Sequence, residues 1–200
     1  MSQYPDSVEQ LIEFFRIFRG VGRRGAERYV LSLLDWQESK IREFGSLIAG
    51  IPDKVGHCPE CGSLAEKGRL CEICENPRRD VTSICVVESF AQLQSIENSH
   101  VFKGVYHVLG GKISPLDDEY GENLNLASLP ERIERNQVKE VIIALGADVE
   151  GRATALYISD MLKDCNVRVT QLSQGIPAGA NIAFADSATI GAALKNRMEL

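Results

Sequence analysis

The chain has 200 residues, 44% hydrophobic and 25% charged, a globular composition with room for one large domain or two small ones. No stretch approaches the roughly 20 apolar residues of a membrane span, and the start MSQYPDSVEQ lacks the basic and apolar runs of a secretory leader, so a cytoplasmic location is expected. The formal net charge of −6 excludes a protein that coats nucleic acid over its whole surface, while leaving room for one local basic patch.

From Ser7 to Arg19 the apolar residues Val8, Leu11, Ile12, Phe15 and Phe18 recur at steps of three and four, which predicts an amphipathic helix. Ser7 followed by Gln10 fits a capping box at its start. Gly20-Val21-Gly22 interrupts the pattern, which resumes at Ala26, Tyr29, Val30, Leu33 and Leu34. Two short helices joined by a glycine turn are expected. Around the turn, Arg16, Arg19, Arg23, Arg24 and Arg28 face a single acid within the same stretch, Glu27. A helix, a G-V-G turn and a second helix resemble the helix-hairpin-helix of DNA-binding proteins, in which first-turn N–H groups, the helix dipole and nearby cations grip a phosphate. Such a grip is indifferent to base sequence. A plain hairpin with a solvated basic face is the other reading. Ile41, Phe44, Leu47 and Ile48 predict a third helix, ended by Gly50 and Pro52.

His57 to Arg79 reads HCPECGSLAEKGRLCEICENPRR. Cys58 and Cys61 form one C-x-x-C pair, Cys71 and Cys74 another, and the nine residues between the pairs allow the chain to fold back. In a reducing compartment such spacing points to metal before disulfides. Four thiolates suit tetrahedral zinc and leave no open position, so the expected role is structural. Iron–sulfur is the competing metal reading, and a redox dithiol or an unmetallated loop the plainer one. Gly62 supplies a left-handed residue after the first pair, and Asn76 is the expected substitute after the second. His57 is read as lying outside the ligand set, and Cys85 and Cys165 as ordinary buried thiols.

Beyond Arg79, Ser83–Glu88, Val105–Leu109, Glu140–Leu145 and Val167–Leu172 read as strands. Helical spacing lies between them, at Leu93 and Ile96, at Leu126, Leu129 and Ile133, and at Ala155, Leu156, Ile158 and Leu162. This alternation predicts a parallel or mostly parallel sheet with helices on its faces. The polar segment Asp117 to Asn125 reads as a surface loop, IPAGAN after Gly175 as a turn, and the last residues as a tail to which the sequence assigns no element. Glu88 ends the first strand, and Asp148 and Glu150 follow the third. At the carboxyl ends of strands such acids form a candidate Mg²⁺ site; solvated loop-tip acids are the plainer reading.

The order of helical hairpin, four-cysteine clip, ICVVES from Ile84 and VEGRATA from Val149 resembles the RecR family of bacterial recombination mediators over essentially the whole chain. CEICENPRR from Cys71 and ISPLD from Ile113 strengthen the resemblance. It implies a helix-hairpin-helix domain over 1–52, a zinc finger over 53–80, a Toprim domain over 81–175 and an oligomerisation tail over 176–200. It further implies a homotetrameric ring around DNA. Its partners would be RecO and in many bacteria RecF, and its task to help RecA displace single-strand-binding protein at gaps. The chain departs from the family pattern at Arg19 and Arg23, where proline is usual, at Gly25 in place of serine or threonine, and at Arg152, where the family commonly has a second glutamate after Glu150-Gly151.

The resemblance implies a non-enzymatic DNA-binding mediator. DNA contacts are expected from Arg24 and Arg28 with added charge from Arg16, Arg19 and Arg23, one structural Zn²⁺ from the four cysteines, and partner docking from Glu88, Asp148 and Glu150. Catalytic Toprim domains pair a strand-end glutamate with Asp-x-Asp; the first aspartate position here is Gly146. The rival expectations are a Mg²⁺-dependent Toprim primase, topoisomerase or nuclease, and a zinc-stabilised interaction module without DNA affinity.

Overall fold

A computed structural model describes residues 4–114, 123–173 and 175–197. The chain divides into two compact units, Met1–Lys54 and Val55–Leu200. Most of the acidic loop expected from Asp117, and the end of the ISPLD motif, lie outside the described residues.

In the first unit, α1 (Asp6–Arg16) and α2 (Arg23–Leu34) make the expected hairpin. Its core is small: Ile12, Ala26 and Val30 are buried, with Val8, Phe15 and Val21 packed against them. Gly20 takes the positive φ of 79° that an L-residue adopts only at a cost. The capping box does not form. The helix begins at Asp6, with Pro5 as its N-cap in place of Ser7 and the Val8 and Glu9 N–H groups donating to the Pro5 carbonyl. Helix α3 (Glu38–Lys54) passes through Gly50 and Pro52 instead of stopping there. A proline fixes φ near the helical value and, this close to the end, removes only one N–H from the ladder. Among the described residues α3 buries none, and Ile41, Phe44, Leu47, Ile48 and Ile51 all stand exposed.

The second unit begins with an antiparallel pair, β1 (Val55–His57) and β2 (Leu64–Glu66), followed by the single turn α4 (Glu72–Glu75). Then come β3 (Asp80–Val87), α5 (Phe90–Glu97), β4 (Gly104–Val108), α6 (Ser128–Arg135), β5 (Glu140–Ala144), α7 (Val149–Met161) and β6 (Arg168–Gln171). The four strands β3 to β6 form one sheet in the order β4-β3-β5-β6, and every neighbouring pair is parallel.

Alternation along β3 sorts the core into two layers. Ile84 and Val86 join Leu129 and Ile133 of α6 and Ala155 and Ile158 of α7. Cys85 and Val87 join Leu93 of α5 and Tyr106 on the other side. Helices therefore cover both faces, which is why the central strands read as unbroken apolar runs. The strand order reverses between β3 and β5, so their carboxyl ends flank the crevice where α/β sheets place their sites.

The tail, to which the sequence assigned no element, contains two short ones. A short 3₁₀ turn (Ile182–Phe184) leads into α8 (Ser187–Lys195). Asp186 caps α8, its Oδ1 accepting from the N–H groups of Ala188 at 2.9 Å and Thr189 at 3.0 Å. No described helix is long and apolar enough to cross a membrane.

Candidate functional site

Three groups of side chains carry the chemistry. The first is the cysteine cluster. The Cys58 N–H donates to the Ser63 carbonyl at 2.7 Å and the Gly62 N–H to the Cys58 carbonyl at 2.9 Å, closing the first turn. Gly62 has φ of 75°. The second turn works differently: Cys71 precedes α4, and the Glu75 N–H donates to its carbonyl at 3.0 Å. Asn76 is therefore not left-handed as the sequence suggested; it ends the helical turn with φ −78° and ψ 111°.

The two turns bring all four sulfurs within 4.8 Å of one another. Cys61 and Cys71 are 3.6 Å apart, close to the roughly 3.8 Å edge of a tetrahedron of sulfurs bound about 2.3 Å from a central ion. Cys58, Cys61 and Cys71 are buried and Cys74 partly so. A shared proton from Cys61 holds the Cys71 thiol below its ordinary range. A set of four soft donors converging on one point can hold a metal ion and offers no open position for a substrate. His57 stays outside the set, its Nδ1 lying 3.1 Å from the Gly62 carbonyl. Cys85 is buried in β3, where burial pushes its thiol up to about 12, and Cys165 is half-buried.

The module is docked on the sheet through groups that sequence reasoning missed. The Val108 N–H at the end of β4 donates to the Cys61 carbonyl at 2.7 Å. Glu60, between the first two cysteines, accepts from Arg132 Nε at 2.8 Å and from Arg135 at 2.6 Å, both on α6. These arginines pull the Glu60 carboxyl below its usual range against the opposing effect of burial. On α6 the spacing of Arg132 and Arg135 looks like ordinary surface charge, and only the fold reveals the shared partner.

The second group lies at the hairpin. Gly22, extended at φ −81° and ψ 173°, is the N-cap of α2 and has no side chain with which to cap it. The first-turn N–H groups of Arg23, Arg24 and Gly25 therefore have no intrahelical acceptor. The five arginines separate into two sets. Arg16 pairs with Glu13 at 2.7 Å, and Arg23 with Glu9 at 3.0 Å and Glu27 at 3.1 Å. Counting charge within residues 16–28 overlooks the acids of α1. Among the described residues, no carboxylate lies within ion-pair reach of Arg19, Arg24 or Arg28; Arg28 sits 5.6 Å from the Tyr29 ring centroid.

The third group lies at the carboxyl ends of β3 and β5. Glu88, Asp148 and Glu150 are brought together as the strand ends suggested, and Lys112 joins them. Its Nζ is 2.7 Å from Asp148, 3.6 Å from Glu150 and 3.8 Å from Glu88. Thr154 of α7 fixes the segment carrying the lysine, its Oγ1 accepting from the Ile113 N–H at 2.8 Å. Asp148 is also the N-cap of α7, accepting from the Gly151 N–H at 2.7 Å. The Lys112 ammonium, helped by that N–H, holds Asp148 below the usual carboxylate range, and Asp148 in turn holds Lys112 up. Arg152 makes no ion pair among the described residues and acts on Asp148 only through its field. An ammonium already seated among the three carboxylates opposes entry of a divalent cation.

Comparison with known proteins places this arrangement among relatives. The Toprim domain model matches residues 82–173, and a model described as RecR, C-terminal, matches residues 175–198. The recombination protein RecR of Legionella pneumophila subsp. pneumophila (strain Philadelphia 1) is 42% identical over 192 residues, 96% of this chain and 96% of that protein. Those of Bifidobacterium longum subsp. infantis and Bifidobacterium adolescentis are each 38% identical, covering 98% and 97% of this chain and 98% and 96% of their own lengths.

Proposed function

The chain belongs to the family of the recombination protein RecR, and from that premise we propose that it is a non-enzymatic, DNA-binding mediator of recombinational repair in the cytoplasm. Segment 1–52 binds DNA, 53–80 is a zinc finger, 81–175 the Toprim domain and 176–200 the oligomerisation tail. The chain assembles as a tetrameric ring around DNA. With RecO, and RecF where present, it helps RecA replace single-strand-binding protein on gapped DNA.

One observation carries the DNA reading: arginines with no carboxylate partner among the described residues stand beside uncapped N–H groups at the start of α2. Arg24 and Arg28 form this anion-binding corner with Arg19 nearby, whereas Arg16 and Arg23 are tied to glutamates. One hairpin can hold few phosphates, and a ring multiplies them through effective concentration. Cys58, Cys61, Cys71 and Cys74 hold one Zn²⁺, whose place is structural: it supplies the folding energy that a segment poor in apolar residues lacks. Glu88, Asp148 and Glu150 form a docking face for a basic surface of RecO, where opposed charge sets register and association rate. The lysine among these acids and the glycine at position 146 support a Toprim domain without Mg²⁺ chemistry.

The test is DNA binding across a salt series. Replacing Arg24 and Arg28 together with alanine should weaken binding equally on unrelated sequences and lower the log–log salt slope by about 0.7 to 0.9 for each phosphate no longer neutralised. Arg16→Ala and Arg23→Ala should do less, because their charges are already balanced. Undiminished affinity in the double variant would remove the hairpin as the DNA site.

A further inference from the structure

Arg132 is the only lysine or arginine buried among the described residues, at 3% exposure. Burying a guanidinium is costly unless its charge is matched and its N–H groups are bonded. Its Nε donates to Glu60 at 2.8 Å, one Nη donates to the Tyr106 carbonyl at 2.6 Å and lies 3.4 Å from His107 Nδ1, and the other Nη lies 3.9 Å from Cys74 Sγ. The Tyr106 carbonyl and the His107 ring are neutral partners. Glu60 is charged, but it is shared with Arg135, which is half-exposed and donates to both carboxylate oxygens. Two guanidiniums thus face one carboxylate. With a metal bound, the remaining anion within reach of Arg132 would be the thiolate of Cys74.

Four thiolates around a dication carry an excess of negative charge, and N–H donors from outside the ligand set are the usual means of stabilising it. Cys74 is the member of the set most open to solvent, so its sulfur is the one most in need of such a donor. We infer that Arg132 is the counter-charge of the cysteine metal centre: its guanidinium donates to the Cys74 thiolate, slows attack on that sulfur and retards loss of the metal. The same side chain holds Glu60 of the first cysteine turn and the backbone of β4, so it couples metal retention to docking of the cysteine module on the sheet. The inference rests on the reading that the cysteines hold zinc.

The experiment uses the full-length chain loaded with zinc and challenged with N-ethylmaleimide, with released zinc followed by a chromogenic chelator. Arg132→Met keeps the bulk of the side chain and removes its charge. Arg135→Met weakens the same Glu60 bridge without touching a sulfur. Release should be about tenfold or more faster in Arg132→Met, the usual scale for losing a group that supports a metal ligand, and within roughly twofold of wild type in Arg135→Met. Equal acceleration in both variants, or an unchanged rate in Arg132→Met, would overturn the assignment.

Should Arg132→Met fail to fold, the wild-type chain loaded with cadmium-113 gives a direct reading by NMR. A through-bond correlation between an Arg132 guanidinium proton and the metal is expected. Its absence, with correlations from the Ile73 N–H to the metal through Cys71 present, would also overturn the assignment. A wild-type chain that takes up neither zinc nor cadmium would overturn the metal reading itself, a failure seen before any substitution is made.

Discussion

Gly62 and Gly25 each sit beside a chemically important residue, but only Gly62 has to be glycine. At Gly62, φ is 75° and a Cβ would lie 2.7 Å from both the Val108 carbonyl oxygen and Asn125 Nδ2. The left-handed backbone costs an L-residue about 1–2 kcal/mol, and overlap with backbone adds about 1–3 kcal/mol. At Gly25 the nearest atom is Val21 Cγ1 at 3.7 Å, so alanine fits and gains up to about 1 kcal/mol of helix propensity. Denaturant unfolding should therefore show Gly62→Ala strongly destabilised and Gly25→Ala neutral to stabilised; the reverse order would contradict both local geometries. His107 gives the pH prediction. Burial, against an opposing hydrogen bond to the Asn125 carbonyl, pushes its ring down to about 4. The unfolded chain takes up this proton near pH 6.5 and the folded chain only near 4, so its contribution is present above 6.5 and is lost on acidification through that window. The loss amounts to about 3 kcal/mol. An NMR titration should find the His107 ring neutral down to about pH 5, and a midpoint near 6.5 would show that the ring is not held this way.

At the scale of elements, the parallel sheet was legible because β3, β4 and β5 are apolar runs separated by helical periods, and the cysteine cluster because its spacing alone makes the sulfurs converge. The hairpin was legible from two stripes and a glycine turn. What was not legible depends on residues distant in sequence. Lys112 meets Asp148 across 36 positions and Arg132 meets Glu60 across 72, and no period or motif announces either pair. Local charge counting erred at the hairpin for the same reason, since Glu9 lies one helix away from Arg23. The capped helix α8 left a visible signal, Asp186 before Ser-Ala-Thr, which is an ordinary N-cap pattern. The acid cluster yields a prediction at this scale. If it docks RecO, Glu88→Ala and Glu150→Ala should weaken RecO binding by calorimetry, with the salt dependence of an exposed charged surface, and leave DNA affinity unchanged. Parallel loss of both affinities would mean that the substitutions disturb the fold and not a docking face.

For the whole molecule, a net charge of −6 would leave DNA, on the proposed reading, attracted only where cations stand unbalanced. That favours an oriented, sequence-independent grip. The metal-binding geometry closes on itself, and the strand-end acids already hold an ammonium. On the reading proposed above, the hairpin arginines without a carboxylate partner among the described residues would face DNA and the strand-end acids a protein partner. The most direct measurement is RecA assembly on gapped DNA coated with single-strand-binding protein, with the chain and its RecO added together. Faster RecA assembly than with RecO alone, dependence on Arg24 and Arg28, and DNA recovered intact are expected. No acceleration, or Mg²⁺-dependent cleavage, relaxation or primer synthesis by the chain alone, would contradict this reading.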